Sequence, residues 1–190
     1  MIMNNHLLKL YLELDFLYRN IISVCVSCQD HDCEGYVWLL EEEASALYNL
    51  NVPVVEINEN TFFIHSFEEV DGVLSIEKPK PPCRLRQSRL CSIHDSRPLV
   101  CRLYPVGLAT IKNEVLVVLH QDCKFSRDIA GEAKAVFLVQ TIEILKQTPD
   151  DLLSEIMETY RKVDAISAFP DGSNAFEVII PLGSLIKERG

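Results

Sequence analysis

Bases are scarce in this sequence: 18 Lys and Arg stand against 28 Asp and Glu over 190 residues, a formal charge of −10. A chain of that sign has no general attraction for a phosphate backbone, so nucleic acid is not an expected partner. Long apolar runs are missing too. Residues 7–22 come closest, but Lys9, Glu13, Asp15 and Arg19 interrupt them, whereas a membrane-spanning helix needs about 20 predominantly apolar residues. The stretch Met1-Ile2-Met3-Asn4-Asn5-His6 has no basic leader ahead of an apolar segment, which points to a cytoplasmic protein with no membrane partner. Also absent are a glycine-rich nucleotide loop, internal repeats and low-complexity segments, and neither a Ser-His-Asp arrangement nor a carboxylate pair at helical spacing singles out a catalytic site. Nothing in the residue patterns therefore argues independently for catalysis.

What the chain does have is seven cysteines, at 25, 28, 33, 83, 91, 101 and 123. A chain of this length can bury a core without disulfides, and an odd count leaves one thiol over if all the others pair. In a reducing compartment, closely spaced cysteines are better read as metal ligands or redox thiols. Cys25-Val26-Ser27-Cys28 has the spacing that lets two thiolates reach one metal from a tight turn. The same pair also fits a dithiol redox couple or two buried apolar side chains. Cys33 follows five residues on, with His31 and Asp32 between, and four more cysteines lie downstream, so metal binding is the preferred reading.

The charge is unevenly spread. Lys78, Lys80, Arg84, Arg86, Arg89, Arg97 and Arg102 share residues 78–102 with one acid, Asp95, a local +6 that leaves −16 elsewhere. A solvated basic loop is the plain explanation. In so acidic a chain, however, concentrated cations fit anionic ligands better, whether thiolates on a metal or an anionic substrate. Arg97 and Arg102 are the candidate cofactor-binding residues. They are expected chiefly to hydrogen-bond carbonyls or acids that brace the cysteine loops.

Helical spacing runs through residues 6–22 (Leu7, Leu8, Tyr11, Leu14, Tyr18, Ile21, Ile22) after Asn4-Asn5, either of which can cap. Leu10, Leu12, Phe16 and Leu17 on its other side predict a helix partly buried on both faces. A second helix is expected over 41–50, its N-terminus favoured by Glu41-Glu42-Glu43. Short strands are expected at 52–57, 61–64 and 73–76, then an extended Pro-rich lead-in at 78–82 and a loop from 83 to 107. Residues 109–119 read as a hairpin turning at Lys112-Asn113. Helices follow at 130–147 and after Thr148-Pro149-Asp150-Asp151, where Thr can cap, and Phe176–Ile180 is a further strand.

From Cys83 to Pro105 the sequence reads C-R-L-R-Q-S-R-L-C-S-I-H-D-S-R-P-L-V-C-R-L-Y-P. Its Cys91-Ser92-Ile93-His94, Arg97-Pro98 and Cys101-Arg102-Leu103-Tyr104-Pro105 resemble, in order and spacing, the signature of a cysteine-cluster family described as a zinc- or iron-chelating domain. That family opens with C-x-x-C-x-x-C-C. Here Cys25 and Cys28 match, but His31 and Asp32 occupy the adjacent pair, with Cys33 one place later. Cys123 resembles the late family cysteine, so the likeness spans about residues 25–123. Flagellin lysine N-methylase is similar to this family in its cysteine domain.

The expected fold is α+β: a small cysteine-rich metal-binding core with short antiparallel strands, flanked by N-terminal and C-terminal helices. Residues 1–127 form the cysteine-cluster domain and 128–190 a helical extension packed on it. The expected function is chelation of zinc or an iron–sulfur cluster, with room for a protein partner; the alternative is a redox or lysine N-methylase-like enzyme using the cluster. The candidate ligands are Cys25, Cys28, Cys33, Cys83, Cys91, Cys101, Cys123 and His31. Spacing does not separate zinc from iron–sulfur. His94 is expected to pack or hydrogen-bond, and His120 to be half-buried at a strand end.

Overall fold

The computed structural model describes residues 4–19, 37–65, 67–71, 73–79, 83–87, 90–121, 123–129, 131–166 and 176–187. Helix α1 (Asn5–Tyr18) starts where the sequence suggests, with the Asn4 side chain accepting from the His6 N–H at 2.9 Å. Leu7, Leu10, Tyr11, Leu14 and Leu17 are buried. Leu12 and Phe16 are 63% and 70% exposed while Leu10 and Leu17 are buried, so the second group of apolar residues is partly buried, as expected.

A two-residue strand β1 (Trp38–Leu39) leads into α2 (Glu41–Asn49), and β2 (Val54–Asn58) and β3 (Thr61–Ile64) complete a sheet in the order β1-β3-β2. Strands β4 (Phe67–Val70) and β5 (Val73–Pro79) form a separate antiparallel pair. The sequence pattern did not reveal β1 or β4, which are short and carry no alternation of their own. Asn60 and Asp71 turn the chain with positive φ, as their small polar side chains allow.

The segment read as loop contains regular structure. It holds a small hairpin, β6 (Arg86–Gln87) with β7 (Leu90–Cys91), a 3₁₀ turn at His94–Ser96 and the short helix α3 (Leu99–Leu103). Next, β8 (Val106–Ile111) and β9 (Glu114–His120) form the expected hairpin. Lys112 and Asn113 both have positive φ, the requirement of a two-residue hairpin turn matching strand twist. Strand β10 (Phe176–Pro181) pairs antiparallel with β9, so β9 is central and buried from Val115 to Leu119.

The remaining helices are α4 (Lys124–Asp128), α5 (Gly131–Gln147), α6 (Asp150–Ile166) and α7 (Ser184–Lys187). Helix α6 buries Leu152, Leu153, Ile156, Tyr160 and Val163 as one stripe. The Thr148 hydroxyl reaches back to the Ile144 carbonyl at 3.1 Å, bonding to the end of α5. The main apolar cluster joins α1, β8, β9, α5, α6 and α7, from Leu7 to Leu185. A smaller cluster, Val37, Leu39, Ala44, Leu47, Val52 and Ile64, lies under α2. The architecture is thus mixed α+β, with short antiparallel sheets among helices. No helix among the described residues is long and apolar enough to cross a membrane.

Candidate functional site

Cys25, Cys28, Cys33 and His31 lie outside the described residues. The other four candidate ligands fall into two settings. Cys83 and Cys91 stand on either side of the β6–β7 hairpin: the Arg86 N–H bonds to the Cys83 carbonyl at 2.9 Å, and Arg86 is the register partner of Cys91. Both are half-buried with free thiols. Cys101, the third residue of α3, is also half-buried, and Cys83 and Cys101 both pack against the smaller apolar cluster. Cys123 is 5% exposed and belongs to the main core with Phe125 and Phe137.

The Cys91 thiol titrates above its ordinary value. Burial raises it most, the Ile93 N–H lowers it, the nearby Cys83 raises it and Arg97 lowers it. The cations of this segment therefore do not by themselves make Cys91 a thiolate. A metal would do so by displacing the proton. Among the described residues no group of three or more Cys, His, Asp or Glu side chains is arranged to hold a metal ion. The donors they do supply are thiols, the soft class that suits zinc and iron–sulfur clusters.

Arg97 and Arg102 bond as bracing residues. Arg97 donates from Nε to the His94 carbonyl at 3.0 Å and from Nη2 to Asp15 at 3.3 Å. Arg102 donates from Nε to the Arg97 carbonyl and from Nη2 to the Asp95 carbonyl, each at 2.7 Å, and from Nη1 to the other Asp15 oxygen. Its guanidinium also stacks on the Tyr11 ring, 4.3 Å from the centroid. Arg102 is 4% exposed, so burial of its charge is offset by Asp15 and two carbonyls. His94 sits beside Asp95, Nδ1 to Oδ1 3.5 Å. His120, half-buried at the end of β9, stacks with Tyr104 at 5.6 Å and lies over Gly107, where a Cβ would come within 2.5 Å of Nε2.

Sequence reasoning missed a buried carboxylate near Arg102. Glu43 is 3% exposed. It accepts from the Tyr11 hydroxyl, from the Leu40 N–H at 2.8 Å and from the Leu99 N–H at 2.5 Å. Burial pushes its pKa from 4.5 up to about 7, against those three hydrogen bonds and Arg102, which favour the ionised form. The effect is to tie α1, α2 and the first turn of α3 together directly beside Cys101. The available signal was Glu43 at the third helical position of α2, where a carboxylate reaches back to the preceding backbone N–H. Its burial depended on contacts from residues 32 and 56 positions away.

No protein-family model, no curated protein and no solved structure matches this chain.

Proposed function

We propose that the protein binds a metal, either zinc or an iron–sulfur cluster, through cysteines of its 25–33 and 83–101 segments. The supporting observation is that Cys83, just ahead of the β6–β7 hairpin, lies within electrostatic reach of Cys91 on β7, while Cys101 packs against the same small cluster as Cys83. Four ligands are needed for a closed site of either kind. Cys25, Cys28, Cys33 and His31 are the residues proposed to complete it. The bound metal would cross-link distant loops and replace thiol protons. Arg97 and Arg102 hold the 94–102 segment against Asp15 and so keep Cys101 at a fixed position. Cys123, inside the main core, is left out of the proposed ligand set.

Anaerobic purification followed by metal and acid-labile sulfide analysis tests this. Iron with sulfide and a visible absorption band identifies a cluster; about one zinc per colourless chain identifies a structural zinc site. Cys28→Ser and Cys101→Ser should each lower the metal content. A chain that is metal-free after anaerobic purification, or whose metal content neither substitution changes, overturns the assignment.

A further inference from the structure

The β6–β7 hairpin is small: Arg86 faces Cys91 and Gln87 faces Leu90, and among the described residues neither strand joins another sheet. A lone two-stranded ribbon is marginally stable in water. What joins its two arms therefore decides whether it stays closed. Cys91 ends one arm, and Cys83 lies just ahead of the other. The Arg86 N–H bonds to the Cys83 carbonyl at 2.9 Å, closing a turn over 83–86 that folds Cys83 back toward the residue facing Cys91. The Ser92 N–H bonds to the Leu85 carbonyl at 2.7 Å, so the arms stay side by side down to this turn. The ends of such a turn lie within about 7 Å and residues in antiparallel register stand about 5 Å apart, while a disulfide spans Cα atoms about 4.4–6.8 Å apart. The adjustment that brings the two thiols into bond is confined to this short ribbon.

Both thiols are half-buried, neither is in a disulfide, and each lies within electrostatic reach of the other. The other described cysteines are placed differently. Cys123 is 5% exposed in the main core and so shielded from reagents. Cys101 stands on α3, which the Arg102 bonds to Asp15 and to the Arg97 and Asp95 carbonyls hold in place, so it lacks the hairpin's freedom to adjust. We infer that Cys83 and Cys91 of the metal-free chain close a reversible disulfide that locks the hairpin, making it a thiol–disulfide switch. The oxidant is a small disulfide of the glutathione class. One cysteine thiolate attacks it, forming a mixed disulfide and releasing one small thiolate; the second attacks the cysteine sulfur of that mixed disulfide, forming the Cys83–Cys91 bond and releasing the other small thiolate. Two protein thiols are oxidised, and one small disulfide is reduced to two thiols that carry off the two protons. Disulfides in reducing compartments are mostly transient devices of this kind. Where these thiols hold a metal, the disulfide withdraws two of its ligands; that consequence rests on the metal reading, and the disulfide itself does not.

To test this, the full chain is incubated with oxidised glutathione and a chelator, the remaining thiols are blocked with N-ethylmaleimide, and the unreduced protein is digested for mass spectrometry. Cleavage after Arg84 separates Cys83 from Cys91, and cleavage before Asp95 separates Cys91 from Cys101. The expected product is a monomer in which Cys83 and Cys91 are joined to each other, with the bond reduced again by dithiothreitol. Cys83→Ser and Cys91→Ser should each leave the remaining partner as a lasting mixed disulfide with glutathione. Closure should be about tenfold or more faster than in concentrated urea, because the fold holds the two thiols together. Equal rates overturn the inference, since nearness in sequence would then account for the bond. It is overturned equally if Cys83 or Cys91 pairs chiefly with another cysteine, if both finish as mixed disulfides, or if both are recovered blocked by the maleimide. Metal analysis of the untreated chain keeps the two readings apart: a chain that closes this disulfide but never carries metal loses only the metal reading, and one that carries metal but links Cys83 elsewhere loses only the switch.

Discussion

Among the described residues, cysteine appears in two settings that differ in depth and neighbours. In the main core, Cys123 is packed among Phe125, Phe137 and neighbouring aliphatics, where a thiol behaves as a small apolar side chain. Cys83 and Cys101, packed against the smaller cluster, and Cys91, on β7, are half-buried, with Arg97 acting on Cys91. The residue type is the same, and depth and neighbours decide whether it packs or is available for chemistry. The two regions also differ in how they are held. The main core is joined by continuous apolar burial, and the smaller one is tied to it through Glu43, which follows Glu42 and precedes Ala44 of the smaller cluster and accepts from Tyr11, Leu40 and Leu99 of the main core.

That contrast can be broken most strongly from the core side. Leu153→Ala, at a fully buried position of α6, should cost about 3–5 kcal/mol in urea unfolding and leave metal per folded chain unchanged. A cost below that of Leu47→Ala in the smaller cluster would mean that the main core is not the dominant one.

The next effect is pH-dependent. Because the Glu43 carboxyl rises from 4.5 to about 7 on folding, the native state holds a proton between those values that the unfolded chain has released. Its contribution to stability is therefore greatest at low pH and falls as pH rises from about 4.5 to about 7, by roughly 3 kcal/mol at 1.36 kcal/mol per unit. Glu43→Gln should flatten that part of the stability profile, and a parallel profile for the variant would show that Glu43 is not the group responsible.

Cys123→Ser puts a hydroxyl into an apolar site and should cost about 1–3 kcal/mol with metal content retained. Loss of metal with little loss of stability would move Cys123 into the ligand set. Cys91→Ser should change metal-free stability least, within about 0.5 kcal/mol for a half-exposed position, while lowering the metal bound. Equal costs for the two cysteine variants would erase the distinction between the regions.

How much of this was legible depended on whether the determining contacts were local. The β8–β9 hairpin was readable because Lys112-Asn113 separates two apolar runs and both residues accept positive φ. Helix α6 was readable from its stripe of Leu152, Leu153, Ile156, Tyr160 and Val163. Helix α3 was not, since Leu99–Leu103 is barely more than one turn and a five-residue run has no period to detect. The exposure of Leu12 and Phe16 was also hidden: helical spacing says which residues share a face, and only the neighbouring elements say which face is covered.

By itself the sequence determined the composition of the candidate site: seven cysteines, a cationic segment in an acidic chain, and Cys-Arg after Arg-Pro at 97–102. It also determined most helix and strand positions, because caps, turns and periodicity act over a few residues. The tertiary structure decided which cysteine belongs to the core, that Asp15 meets both arginines, and that Glu43 is buried beneath α3. Those facts turn on burial, and burial is set by chain segments far apart in sequence that come together only when the fold forms.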